Sequence, residues 1–97
     1  MSKNRPKADV ESGLTAKGFQ QVRQTNHNYY IFHTKEGTKS PIKTKTSLGR
    51  KPKEIGGDLL SAMARQCKLN TKDFLRLIDC PLSREEYEGL LQNDGHL

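Results

Sequence analysis

The stretch His27-Asn28-Tyr29-Tyr30-Ile31-Phe32-His33-Thr34 decides how this chain folds. Rings and a β-branched residue fill it, and neither Gly nor Pro interrupts it, which marks a strand. With a period of two, His27, Tyr29, Ile31 and His33 share one face, while Asn28, Tyr30 and Phe32 share the other. A small sheet covered by helices on one side shows polar residues on its open side, yet both faces here carry rings. Tyr30 with Phe32 is the preferred core pair, because that choice gathers both histidines on the open side. An exposed ring there suits base stacking or the docking of a partner. The competing account buries both faces, one under helices and one under the chain's own tail or a second chain.

Outward from this strand the pattern continues in both directions. Thr25-Asn26 reads as a turn, preceded by a loosely alternating strand from Phe19 to Gln24. In that strand Phe19, Gln21 and Arg23 face one way, and Gln20, Val22 and Gln24 the other. A short helix from Asp9, with Val10 and Leu14 four apart, is stopped by Lys17-Gly18. Beyond the central strand, Lys35-Glu36-Gly37 turns the chain back, and Thr38 to Thr46 forms a third strand. Pro41 makes that strand an edge or a bulged one. A Gly-, Lys- and Pro-rich loop spans Ser47 to Lys53. Ile55, Leu59, Ala62, Met63 and Cys67 then recur at helical spacing. Asn70 opens a further helix with Phe74, Leu75 and Ile78 as its apolar face, and Asp79-Cys80-Pro81 stops it. Ser83-Arg84-Glu85-Glu86 is a capping box, with Leu82 and Tyr87 at the staple positions and Leu90 and Leu91 completing the face. The expected class is α+β: α-β-β-β-α around a three-stranded antiparallel sheet, with two extra C-terminal helices. Residues 1–8 are expected as a flexible basic tail, 9–92 as the single domain, and 93–97 as a frayed end.

Composition narrows the function classes. Ninety-seven residues, 32% hydrophobic and without Trp, allow one lean core. No apolar run approaches the roughly 18 residues of a membrane span, and no apolar segment follows the charged N-terminus. A cytoplasmic protein is therefore expected. Cys67 and Cys80 lack both a CxxC spacing and a nearby His pair, so buried thiols are expected rather than a zinc site. Net charge is +6, unevenly spread. Residues 1–53 hold twelve Lys and Arg against three Asp and Glu, whereas residues 54–97 hold five against eight. Such asymmetry points to a polyanion-binding half.

The third strand and its loop supply the cations Lys39, Lys43, Lys45, Arg50, Lys51 and Lys53. Lys39, Lys43 and Lys45 have the parity to line one face, at intervals that suit successive phosphates. The same lysines also guard an edge strand against pairing with another edge. His27 can exchange protons near neutral pH. Cleavage of RNA through its 2′-hydroxyl needs a base, an acid and cations for the developing phosphorane charge. With no acidic cluster for a metal pair, a metal-independent route is expected, and no cofactor.

Gly18-Phe19, a polar strand with Arg23, and a turn ending in His27 before a ring-rich strand resemble the HicA-type (YcfA-like) toxin family. Lys43-Thr44-Lys45-Thr46-Ser47-Leu48-Gly49 and Phe74-Leu75-Arg76-Leu77-Ile78-Asp79-Cys80-Pro81-Leu82-Ser83 look like a longer branch of it, and the likeness covers about residues 9–92. The resemblance implies a double-stranded-RNA-binding-domain-like fold, cleavage of messenger RNA, His27 as catalytic residue, and inhibition by a HicB-like antitoxin. Two positions depart from the family pattern. The turn reads Thr25-Asn26-His27 where Gly-Ser-His is common, and Leu48 stands where relatives often carry a second His. Arg23, Lys43 and Lys45 are expected to hold phosphate, aided by Lys39, Arg50 and Lys51, with Asn26 and Tyr29 positioning the nucleotide. The alternatives are a non-catalytic RNA-binding module of the same fold, or a protein-interaction domain using the open sheet face.

Overall fold

Alternation in the ring-rich strand and helical spacing in the C-terminal half both persist in the computed structural model, which describes residues 4–25, 27–47, 54–79 and 81–97. In chain order the elements are β1 (Arg5–Pro6), α1 (Lys7–Ala16), β2 (Phe19–Arg23), β3 (His27–His33) and β4 (Lys39–Ser47). They are followed by β5 (Glu54–Ile55), α2 (Gly57–Gln66), α3 (Thr71–Ile78) and α4 (Arg84–Asn93). The class is α+β. β2, β3 and β4 form an antiparallel sheet in that order, so β3 is central and β2 and β4 are edges.

Tyr30 and Phe32 of β3, Phe19 of β2 and Ile42 of β4 are buried on one face, under the helices. The expected core pair is the observed one. Thr44 and Thr46 are also buried there, and their hydroxyls donate to Gln66 Oε1 of α2 (2.6 Å) and Glu11 Oε2 of α1 (2.7 Å). Tyr30 lies beside Glu11, and burial together with that carboxylate pushes its phenol up to about 12. These bonds satisfy polar groups that burial would otherwise penalise.

Pro41 makes β4 both an edge and a bulged strand. Between the pairs Ile31↔Lys43 and His33↔Lys39 the register shifts, because Pro41 has no N–H for the ladder. Ser40 repairs the gap: its hydroxyl donates to the Phe32 carbonyl (2.7 Å) and accepts from the Ile42 N–H (3.1 Å).

Gly18 adopts φ +96° at the end of α1, and an added Cβ would meet Arg84 Nε at 2.5 Å. Only Gly takes that conformation without strain. The close approach lets Arg84 donate from one nitrogen to the His33 (3.0 Å) and Thr34 (2.9 Å) carbonyls, tying α4 to the end of β3.

Several boundaries differ from the sequence reading. Arg5–Pro6 pairs with Glu54–Ile55, Arg5 grips Asp79 through two bonds of 3.2 and 3.0 Å, and Lys7 begins α1 and is buried. Residues 4–8 are thus part of the folded domain rather than a tail, because backbone pairing and a bidentate ion pair tie them down. Ile55 belongs to β5 and not to a helix. The helical phase therefore starts at Gly57 and buries Leu60, Met63, Ala64 and Cys67, leaving Leu59 46% exposed. α3 buries Leu77 beside Phe74 and Ile78, with Leu75 partly covered. In α4, Tyr87 and Leu91 are buried and Leu90 is exposed. The capping box of Ser83 and Glu86 forms as expected, with Leu82 and Tyr87 buried on either side. The same Ser83 bonds hold the Glu86 carboxyl below its usual range.

Candidate nucleic-acid interface

The open side of the sheet is set by the β2–β3 register. The Gln24 N–H donates to the His27 carbonyl (2.8 Å), closing the hairpin, and from there Val22 pairs with Tyr29 and Gln20 with Ile31. On the other side Tyr29 pairs with Lys45, Ile31 with Lys43, and His27 with Ser47. Residues that pair directly share a face. Val22, Tyr29, Ile31, Lys43 and Lys45 therefore lie together opposite the helices.

At their centre lies a concavity of about 440 Å³, lined by Val22, Gln24, His27, Tyr29, Ile31 and Lys43, with Thr25 at its rim. The His27 and Tyr29 ring centroids are 6.1 Å apart and tilted by 59°. Lys43 Nζ stands 5.9 Å from the centre of the Tyr29 ring, a cation–π distance. Tyr29, Lys43 and Lys45 also line a neighbouring hollow against Gln66 of α2. An aromatic face, a titratable imidazole and two ammonium groups thus meet within one patch.

Not every expected residue joins them. Arg23 pairs with Asn28 and so has the parity of Tyr30, facing the helix side. The expected grouping of Arg23 with Lys43 and Lys45 is corrected on this point, since odd and even positions of a strand point to opposite faces. Lys39 is exposed on the open side but pairs with His33 at the far end of β3. His33 itself engages the Ile31 carbonyl through Nδ1 (3.0 Å). It lies six positions from His27, about 20 Å along a strand. Asn26, Arg50 and Lys51 lie outside the described residues, as do Leu48, Lys53 and Cys80. Val22, Gln24, Thr25 and Ile31 also line the concavity, although the sequence reading assigned none of them to the site.

Cys67 is buried, and burial pushes its thiol above the usual range, the opposite of an activated nucleophile. Among the described residues no group of three or more His, Cys, Asp or Glu is placed to hold a metal ion, and no helix is long and apolar enough to cross a membrane.

Fold and face together define a small α+β domain with one open sheet face that carries rings and cations. Comparison of the chain with protein-family models, with curated proteins and with solved structures finds no match.

Proposed function

We propose that this chain binds RNA on its open sheet face and cleaves messenger RNA there, as a toxin of the HicA type on a double-stranded-RNA-binding-like fold. The observation that carries the reading is the meeting of His27, Tyr29 and Lys43 around one concavity, with Lys45 beside it. In this scheme the 2′-oxygen bonds to phosphorus as the bond to the 5′-oxygen breaks, leaving a cyclic phosphate. His27 takes the 2′-hydroxyl proton or gives one to the leaving 5′-oxygen, and water fills the other role. Lys43 and Lys45 offset the charge that builds on the phosphorane. Tyr29 holds the nucleotide, and Asn26 is its expected helper. A HicB-like antitoxin is the protein partner the family resemblance implies.

The test is cleavage of a mixed-sequence RNA in EDTA by the parent protein and by His27→Ala. Cleavage by the parent, falling by about 10²–10⁴-fold in the variant, is expected, with RNA affinity little changed. Equal cleavage by both proteins would remove His27 from the chemistry.

A second reading, an RNA-binding module without cleavage, is favoured by one observation. Among the described residues His27 is the one histidine that borders the concavity, and His33 sits at the opposite end of the strand, which leaves the acid role without a second imidazole there. Both readings share one salt prediction. In Lys43→Ala/Lys45→Ala, the slope of log affinity against log salt becomes shallower by about 1.4, the loss of two counterions from a single strand. An unchanged slope, measured by titration at several salt concentrations, would place the RNA elsewhere on the molecule.

A further inference from the structure

Gln24 sits where the concavity meets the hairpin end. Its backbone N–H is held by the His27 carbonyl, so its position at the rim is fixed by the turn. Its side chain is exposed, lines the concavity, and has no hydrogen-bond partner among the described residues. Beside it, Val22 (37% exposed) and Ile31 line the same concavity with the half-buried Tyr29. A ring, two apolar side chains and an amide lining one hollow have the makings of a seat for one unpaired base. Aromatic stacking supplies affinity for any base, and edge hydrogen bonds supply the choice among them.

We propose that the concavity takes a single unpaired nucleobase stacked on Tyr29, and that the Gln24 carboxamide selects it, with adenine preferred. This rests on the RNA-binding reading above and adds a specificity-determining residue to it. The carboxamide offers one acceptor and one donor side by side, the complement of adenine's N6 donor and N7 acceptor. A carboxylate at the same place offers acceptors alone, so it can meet the N6 donor but not the N7 acceptor. Lys43, 5.9 Å from the ring centre, is placed to meet the phosphate of the seated nucleotide rather than to read its edge.

The experiment compares binding of the six-nucleotide 2′-O-methyl RNAs A6, C6 and U6, which lack the attacking hydroxyl, by the parent, Gln24→Ala and Gln24→Glu, all at one low salt concentration. Circular dichroism checks that each protein is folded. The parent is expected to bind A6 about tenfold more tightly than C6 or U6, within the discrimination of one bidentate contact. Gln24→Ala should bind all three alike, at the parent's affinity for U6. Gln24→Glu should bind everything more weakly, through repulsion of phosphate, and lose most of the preference for A6, because the donor to N7 is gone. The same order of the three RNAs in the parent and in Gln24→Ala overturns the base seat while leaving RNA binding intact. Binding of none of them by the parent overturns the RNA reading itself, and the base seat falls with it.

Discussion

Tyr87→Ala is expected to destabilise the protein by about 3–5 kcal/mol, a large share of the roughly 5–15 kcal/mol that keeps a domain folded. Tyr87 is fully buried at the centre of the core. Its ring lies 5.0 Å from that of Phe32, edge to face, and 5.9 Å from that of Phe19, stacked. Phe19 and Phe32 are themselves 5.3 Å apart. Removal of this ring leaves a cavity between the sheet and α4, and a close-packed core closes such a void only in part. The hydroxyl adds a separate contribution, donating to the Cys67 carbonyl at the end of α2 (2.8 Å). Burial holds the phenol above its usual range, which favours the protonated form that donates. Tyr87→Phe keeps the ring and orphans that carbonyl, for about 1–3 kcal/mol. Urea unfolding of both variants separates the contributions. Equal losses in the two would mean that the hydrogen bond, and not ring packing, anchors α4 to the sheet.

This core also explains why the interface faces the way it does. Phe32 and Tyr30 are drawn beneath the helices by their contacts with Tyr87 and α1, and a strand cannot bury one set of side chains without presenting the other. His27, Tyr29, Ile31 and His33 are therefore turned outward by the packing of their neighbours. A one-residue slip in β3 would exchange the two sets. The aromatic cluster is thus the reason the imidazole and the lysines share a face.

That much was legible in the sequence, because alternation in His27–His33 and in Lys39–Lys45 needs only the period of a strand. The bulge was legible too, since Pro41 cannot join the ladder. The placement of Arg23 follows from the same parity, yet its charge drew it into a cluster its position on β2 does not permit. Gln24 was also within reach. A two-residue turn at Thr25-Asn26 pairs Gln24 with His27, and counting back from that pair sets Val22 opposite Tyr29. The α2 face was not legible, because nothing local distinguishes Ile55 as the first turn of a helix from Ile55 as a strand. Its pairing with Arg5, fifty residues earlier, decides the matter. Composition likewise made a tail of residues 1–8. The Arg5–Asp79 pair that anchors them is a contact across 74 positions, invisible to any local pattern.

Two helical glycines give the second large effect, through a contrast of sign. Gly13 on α1 packs directly on α3: an added Cβ would lie 2.8 Å from the Ile78 carbonyl oxygen and 2.9 Å from Ile78 Cα. Both are backbone atoms, so no side chain can swing aside to make room. Gly13→Val must therefore push α1 away from α3, and α1 carries Val10 and Leu14 of the core. Overpacking of this kind costs about 3 kcal/mol, more than the few tenths that Val gains over Gly in helix propensity. Gly89 lies in the middle of α4 with nothing within 4 Å of its would-be Cβ. There Ala meets no neighbour and restricts the unfolded chain, so Gly89→Ala is expected to stabilise by about 0.4–1 kcal/mol. Thermal unfolding of the two variants beside the parent should move the midpoint in opposite directions. A Gly13→Val midpoint at or above the parent's would mean that the α1–α3 contact is loose enough to accept a side chain, and the close helix approach described here would have to be given up.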